Sequence, residues 1–218
     1  GRMARRAPDP EITEVLGELG FGEPSAQRAA RSALEKAGLT HARKTRISEE
    51  KLPRVRELLD ATFARACADE VCRGALRRQK PGSELLAVIE PRACEYCGGS
   101  DNRKAMRRLV AACLHRGVSR VVVVGGSPSV RDELEHLKPD GWQLRLIDGT
   151  ERRTQDKAKA DLEWAQLVLV WGASELDHKV SRLYTDSPSA SRRKVVTVAK
   201  RGIAALLNAG ADHLERAH

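Results

Sequence analysis

The sequence predicts an α/β protein in which a basic, all-α module precedes a small sheet of four parallel strands. The first observation is a run of four valines, Val121–Val124, that ends in two glycines; an unbroken apolar run is typical of a parallel strand buried on both faces. The second is the Cys-x-x-Cys pair Cys94 and Cys97, also followed by two glycines, which is typical of a zinc knuckle. We expect a disordered basic tail with a cloning remnant over residues 1–8, a helical module over 9–118 and an α/β domain over 119–218.

The net charge of +9 is expected to lie in the first half of the chain. Residues 1–120 hold 24 basic and 16 acidic side chains, whereas residues 121–218 hold 15 and 14. A basic half predicts a polyanionic partner, most simply nucleic acid, although a solvated arginine-rich surface has the same composition. Aromatic residues make up only 3% of the chain, which argues against base stacking on single strands and favours duplex DNA.

The sequence shows no signal for a membrane or for secretion. No apolar run approaches the roughly 18 residues that cross a bilayer, and no apolar stretch follows a charged start. We therefore expect a cytoplasmic protein with no membrane partner. In that compartment the five cysteines are metal ligands or buried thiols more often than disulfides.

Three amphipathic helices are predicted at the start of the chain, in a helix-turn-helix-like arrangement. Asp9 is the expected N-cap of the first, with Pro10 at the first helical position. The second begins near Ser25, and the third begins near Pro53 and runs through Cys67. A basic connector before the third helix, together with the polar face of a further helix from Asp101, supplies the predicted phosphate contacts: Arg43, Lys44, Arg46, Arg103, Lys104, Arg107 and Arg108.

Two pairs of cysteines have the spacing of a structural zinc site. Cys67 and Cys72 form one pair, and Cys94 and Cys97 form the other. Four thiolates make a closed tetrahedral site, so the ion would connect the helices to the knuckle. Alternatively, cysteines on helix faces are often small core residues, and a redox pair is less compatible with the glycines after the knuckle. Two substitutes for one of the four ligands are Cys113 and His115.

From residue 119 onward the pattern alternates between apolar strands and amphipathic helices, as in a parallel α/β sheet. The simplest right-handed connection of four strands gives the order 2-1-3-4. The strands are predicted at 120–124, 142–147, 166–171 and 194–198, and the helices near 128–137, 154–164, 177–185 and 201–208.

The loops after the first and third of these strands are expected to face each other, where such sheets bind ligands. Small residues and helix-start amides suit a phosphate or carboxylate, although close packing of the loops explains the glycines equally well. Asp148 lies where a nucleotide fold has a ribose-binding carboxylate, or it forms an Asp-Gly turn. His178 is a candidate general base, or it simply starts a helix. The candidate ligand-binding residues are Gly125, Gly126, Ser127, Ser129, Asp148, Ser174 and His178.

Residues 120–210 are similar to a bacterial family, domain of unknown function 2325, which has a small Rossmann-like fold. The similarity lies in the glycine pair after the valine strand, the acid-glycine turn at Asp148, the second apolar strand and the histidine His178. The resemblance implies the fold and a candidate crevice, and it implies no activity. Members commonly have a lysine in the helix after the histidine, a place that Lys179 or Arg182 would have to take here.

The sequence favours a non-enzymatic accessory or regulatory protein that binds nucleic acid. Its basic module would contact the phosphate backbone, and its α/β domain would sense a small anion or contact a protein. A nucleotide- or phosphate-processing enzyme that uses Asp148 and His178 is one alternative, and a scaffold in a larger protein assembly is another.

Overall fold

The chain forms two compact units, one ending at Ser100 and the other beginning at Asp101. The structure, a computed structural model, describes residues 7–88, 90–188, 190 and 193–216. Most of the predicted tail therefore lies outside the described residues. Among the described helices, none combines the length and the apolar character that a membrane span requires.

Three helices open the first unit, as predicted. They are α1 (Ile12–Glu18), α2 (Pro24–Lys36) and α3 (Leu52–Thr62), and a short 3-10 turn precedes the last of them. Their apolar faces share one core that includes Phe21 and Leu59.

The first helix begins at Ile12, so the prediction of Asp9 as its N-cap is wrong. The chain before it is extended and pairs with the basic connector: Ile12 N donates to the carbonyl of Thr45 at 2.9 Å. Glu11 stands at the N-cap, and its side chain makes no capping hydrogen bond. The first N–H of the helix thus donates to a distant segment, and no local side-chain cap of the predicted kind is used.

The rest of the first unit contains a β-α-β segment, so the prediction of an all-α module is wrong. Strands β1 (Phe63–Ala66) and β2 (Glu84–Ala87) are parallel neighbours, joined through helix α4 (Glu70–Gln79). The third helix therefore ends at Thr62 instead of running through Cys67. Each strand has four residues and its partner lies beyond a whole helix, so the local pattern of the sequence does not reveal the pairing.

Strand β1 separates two cores, because alternate side chains of a strand point to opposite faces. Phe63 packs with the core of the first three helices, whereas Ala64 and Ala66 pack in a cluster with four cysteines. Arg65 accompanies Phe63, and its guanidinium lies 5.2 Å from the ring centre of Phe21. The two small alanines leave room for sulfur atoms on the other face.

The second unit holds a parallel four-stranded sheet in the order β4-β3-β5-β6, which is 2-1-3-4 along this part of the chain. The strands are β3 (Arg120–Val124), β4 (Gln143–Ile147), β5 (Leu167–Trp171) and β6 (Val195–Val198), all close to the predicted bounds. The helices are α5 (Asp101–Arg116), α6 (Pro128–Leu137), α7 (Gln155–Trp164), α8 (His178–Thr185) and α9 (Ile203–Arg216).

Both faces of this sheet are covered, as the alternation along β3 shows. Val121 and Val123 belong to a core with α5, α6 and α9, whereas Val122 and Val124 belong to a core with α7 and α8. Helix α5 contributes Leu109 to the first of these cores, so it belongs to the second unit. The division therefore falls before Asp101 and not after residue 118.

This division also changes where the net charge lies. Residues 1–100 hold 18 basic and 15 acidic side chains, whereas residues 101–218 hold 21 and 15. The excess of basic side chains expected in the helical module thus lies mainly in the α/β unit, because the arginines of α5 belong to that unit.

Candidate metal centre

Four cysteines of the first unit lie together beside strand β1, close enough to hold a metal ion. Their sulfur atoms are all within 4.8 Å of one another, and each of the four residues is buried. A tetrahedral ion with Zn–S distances of about 2.3 Å places its sulfur ligands about 3.8 Å apart, so the cluster fits such an ion. The four are the predicted ligands Cys67, Cys72, Cys94 and Cys97.

The first pair is positioned by the junction between β1 and α4. Cys67 directly follows the strand, and Asp69 then caps α4 by accepting a hydrogen bond from Val71 N at 2.9 Å. The cap fixes the first turn of the helix, on whose buried side Cys72 lies. A strand-to-helix turn therefore presents the pair, in place of the helix end that the sequence predicts.

The second pair lies on a tight turn that two glycines make possible. Gly98 N donates to the carbonyl of Cys94 at 2.9 Å, and Gly99 N donates to Cys97 Sγ at 3.4 Å. Gly98 and Gly99 have φ angles of 56° and 83°, in the left-handed region that suits glycine. A Cβ at Gly99 would also lie 3.3 Å from the backbone nitrogen of Arg92. The glycines thus allow a backbone amide to point at sulfur, as expected of a knuckle.

The environments of the thiols differ. Burial raises the pKa of Cys94, but backbone N–H groups of Cys97, Cys67 and Tyr96 outweigh this effect and lower the pKa to about 7. Burial raises the pKa of both Cys67 and Cys72 above the usual range of a thiol. One thiolate is therefore favoured near neutral pH, and a divalent cation would supply the charge that stabilises the others.

An ionic chain connects the knuckle to the helices of the same unit. The guanidinium of Arg65 donates to the carbonyl of Leu19 at 2.7 Å and lies 3.6 Å from the carboxylate of Glu95. Glu95 also lies 3.3 Å from Lys80 Nζ, and Arg65 pairs with Asp60 as well. Because Arg65 is largely buried, a displacement of the knuckle would reach α1 and α3 through this side chain.

The two substitute ligands lie on α5, in the second unit. Cys113 is fully buried in the core of that unit, and burial raises its pKa to about 12. His115 is exposed on the same helix. The cluster of four cysteines in the first unit is formed without either of them, and Cys113 is a small core residue.

The loops after β3 and β5 meet, and Ser174 fills the space between them. Its hydroxyl accepts a hydrogen bond from Gly126 N at 2.9 Å and donates to the carbonyl of Trp171 at 2.6 Å. A Cβ at Gly125 would lie 2.7 Å from that hydroxyl oxygen. The amide expected to bind a ligand is thus already bonded, which favours the packing explanation of the glycine pair.

Asp148 forms the Asp-Gly turn that was its second interpretation. Its carboxylate accepts hydrogen bonds from Thr150 Oγ1 at 2.6 Å and from Thr150 N at 2.9 Å, and it lies 3.5 Å from Arg131. The Thr150 hydroxyl is the main cause that lowers the pKa of Asp148, and Arg131 adds to the effect. A ribose would have to displace these bonds.

The remaining crevice candidates occupy helix starts. Ser127 caps α6 by accepting from Val130 N, and its hydroxyl lies 3.2 Å from that of Ser129. His178 is the exposed first residue of α8, and Asp177 caps this helix. The positions of these side chains are therefore explained by the helix starts that they form or cap.

The predicted phosphate contacts are divided between the two units. Arg43 and Lys44 are exposed on the connector of the first unit, and Arg46 beside them lies 3.5 Å from Glu11. The other four lie on α5 of the second unit, at Arg103, Lys104, Arg107 and Arg108.

Arg108 is bonded within its own unit. It donates to carboxylate oxygens of Asp212 at 2.6 Å and of Glu215 at 2.7 Å, and to the amide oxygen of Asn208 at 3.1 Å. Its charge is therefore offset by α9, which argues against the predicted phosphate contact at this position.

A buried carboxylate that was not predicted from the sequence organises the side of the sheet beneath α7 and α8. Asp161 is 2% exposed and accepts hydrogen bonds from Arg145 at 3.2 Å, from Arg153 at 2.9 and 2.7 Å, and from Tyr184 at 2.6 Å. The guanidinium of Arg145 also lies 4.0 Å from the ring centre of Trp164. Three other segments of the unit thus contribute partners to one acid of α7.

One sequence signal could have indicated this burial. Asp161 follows Ala158 by three residues and precedes Leu162, so it lies on the apolar face of α7. An acid in that position needs partners from other elements, which the pattern of a single helix does not supply.

No family model, curated protein or solved structure matches this chain. The resemblance of residues 120–210 to domain of unknown function 2325 therefore stays a prediction, and the functional assignments depend on residues and geometry alone.

Proposed function

We propose that the first unit binds one zinc ion through its four clustered cysteines, and that the ion has a structural role. The observation that carries this proposal is the burial of four sulfur atoms within 4.8 Å of one another. A site made only of thiols selects soft or borderline metals, among which Zn²⁺ suits a tetrahedral set of four. Such a site has no coordination position for water, so it suits holding segments together.

The need for an ion follows from the composition of the core around it. Among the side chains that the structure describes, the buried cluster holds, besides the four cysteines, three alanines, one leucine and one tyrosine. Small side chains bury little apolar surface, and small domains commonly compensate with a metal. The ion would join the turn between β1 and α4 to the turn of the knuckle.

Metal analysis of the purified chain tests this assignment. We expect one Zn²⁺ per chain by elemental analysis and native mass spectrometry, and a loss of that ion in the variant Cys97→Ser. The control Cys113→Ala removes a buried thiol outside the cluster and should retain one ion. A wild-type chain that takes up no Zn²⁺, or that holds iron with visible thiolate absorption, would contradict the proposal.

The chain as a whole is proposed to be a non-enzymatic nucleic-acid-binding protein that contacts the phosphate backbone, with duplex DNA favoured. Its net charge of +9 supports this proposal. So does the connector, where Arg43 and Lys44 are exposed on a fixed backbone: Arg31 donates to the carbonyls of His41 and Ala42 at 3.2 and 3.4 Å. Cations on a fixed backbone suit phosphate contacts, which position a protein without reading sequence.

Salt dependence distinguishes this function from a merely solvated surface. Fluorescence anisotropy with labelled duplex DNA should show binding that weakens with salt, with a log–log slope reduced by about 2 in Arg43→Ala/Lys44→Ala, since each lost phosphate contact lowers it by about 1. The control Arg54→Ala/Arg56→Ala removes two exposed arginines of α3 and should keep the slope. Absence of binding at low salt, or equal slopes in both variants, would overturn the assignment.

A further inference from the structure

The second unit has a cavity between the loop that follows β4 and the start of α8. Its volume is about 520 Å³, within the range of about 300–1,000 Å³ typical of small-molecule sites. Val180 and Leu183 give it an apolar part. Its polar lining residues are Thr150, Arg152, Arg153, Asp177 and Lys179.

One of the lining arginines is held in place by the buried acid. Arg153 Nε and Nη2 both donate to Asp161 Oδ2, at 2.9 and 2.7 Å, whereas Nη1 takes no part in these bonds. The same oxygen accepts from Tyr184, so the acceptor is itself fixed. A guanidinium fixed before a ligand arrives loses little rotamer entropy on binding.

The other two cations of the cavity, Arg152 and Lys179, have no charge partner within the part of the chain that the structure describes. Arg152 and Lys179 are exposed, and among the described residues their charged groups have neither a hydrogen-bond partner nor an ion-pair partner. The acid in the lining, Asp177, accepts a hydrogen bond from Lys179 N at 2.8 Å as the cap of α8. Two cations without a counter-charge therefore line the cavity, beside an Arg153 that already pairs with Asp161, and Asp177 is engaged as the helix cap.

We propose that this cavity binds a small phosphorylated organic molecule. Arg153, Arg152 and Lys179 would bind the phosphate group, because guanidinium forks match its oxygens and an ammonium adds charge. Val180 and Leu183 would contact the organic part. Both contributing loops follow the carboxyl ends of strands β4 and β5, which is where parallel sheets bind ligands.

The concave shape favours a small molecule over a nucleic-acid duplex. The proposed site differs from the crevice predicted around the glycine pair, where Ser174 occupies the space beside Gly125. It also uses residues different from those proposed to bind zinc or duplex DNA, so it stands or falls independently of both functions.

Calorimetric titration with inorganic phosphate and with phenyl phosphate tests the site. Both should bind the wild-type chain, and phenyl phosphate should bind several-fold more tightly because its ring reaches the apolar part. Arg152→Ala/Lys179→Ala should weaken both by at least about tenfold, as expected for two lost charge-assisted hydrogen bonds. The control Lys157→Ala/Arg201→Ala removes two exposed cations outside the cavity and should stay within about twofold of wild type.

Two results would overturn the proposal. The first is no binding of either probe to the folded wild-type chain, and the second is equal weakening in the two double variants. If neither probe binds and Arg152→Ala/Lys179→Ala also loses duplex DNA binding, these cations belong to a nucleic-acid surface. Near-identical circular dichroism of both variants would show that the exposed substitutions leave the fold intact.

Discussion

The hydroxyl of Tyr184 donates a 2.6 Å hydrogen bond to the carboxylate of Asp161 inside the second unit. Both side chains are buried, and two arginines, Arg145 and Arg153, donate to the same carboxylate. The four residues come from β4, the loop after it, α7 and α8. The network therefore fixes that loop, and with it the position of Arg153 at the cavity.

Replacing the acid by its uncharged isostere should destabilise the second unit strongly. In Asp161→Asn two arginines, 42% and 24% exposed, lose their counter-charge, and solvent compensates part of that loss, so we expect the free energy of unfolding to fall by about 2–3 kcal/mol. All three tryptophans, Trp142, Trp164 and Trp171, lie in this unit, so their fluorescence during urea unfolding reports on it. The control Glu163→Gln changes an exposed acid of the same helix and should stay within about 0.5 kcal/mol of wild type.

The tyrosine predicts a dependence of stability on alkaline pH. Burial, followed by the hydrogen bond to Asp161, raises the pKa of Tyr184 in the folded chain. Its contribution is fully present below the unfolded pKa of about 10 and is lost as the pH rises above it. The stability advantage of wild type over Tyr184→Phe, measured by urea unfolding, should therefore shrink from pH 8 to about pH 11. An advantage that is constant over this range would argue against the raised pKa.

Gly149, in the loop after β4, should not tolerate a side chain. A Cβ at Gly149 would lie 2.6 Å from Leu176 Cδ1 and 2.9 Å from the carbonyl oxygen of Glu175. Overpacking of this kind costs about 1–3 kcal/mol, and we expect Gly149→Ala to lower the urea midpoint of the tryptophan signal accordingly. At Gly141 the added Cβ would meet no described residue within 4 Å other than its own chain neighbours, so Gly141→Ala should leave the midpoint nearly unchanged. If both substitutions lower the urea midpoint equally, the loop around Gly149 shifts to accommodate the added Cβ.

The sheet of the second unit could be predicted because the burial of its strands is visible in their own residue types. A strand buried on both faces must be apolar throughout, as Val121–Val124 is, and the order of four such strands follows from their connections. Strand β1 offers no comparable signal: Arg65 interrupts it, and its alanines are small because they face the cysteines. Its pairing with β2 is a relationship between distant segments.

The same distinction explains what was predicted of the sites. The cysteine cluster could be predicted because thiol ligands are restricted in type and spacing, although the secondary structure predicted around the cysteines was partly wrong. Asp161 could not be assigned, since its burial depends on Arg145, Arg153 and Tyr184, which only the fold brings to it. The pairing of Arg108 with α9 was missed for the same reason.

Removal of the proposed zinc ion should loosen the first unit and leave the second intact. In zinc-finger peptides a structural ion contributes about 10–16 kcal/mol of apparent binding free energy, which is as large as the stability of a whole domain, so the segments that the ion would join should lose their packing without it. The three helices have a separate core of their own. Treatment with a zinc chelator is expected to increase hydrogen exchange at the amides of β1 and of residues 94–99. The tryptophan unfolding midpoint should not move, because the second unit has cores of its own. If hydrogen exchange is unchanged in the chelated chain, the ion has no structural role. If the tryptophan midpoint shifts as well, the effect of the ion is not confined to the first unit.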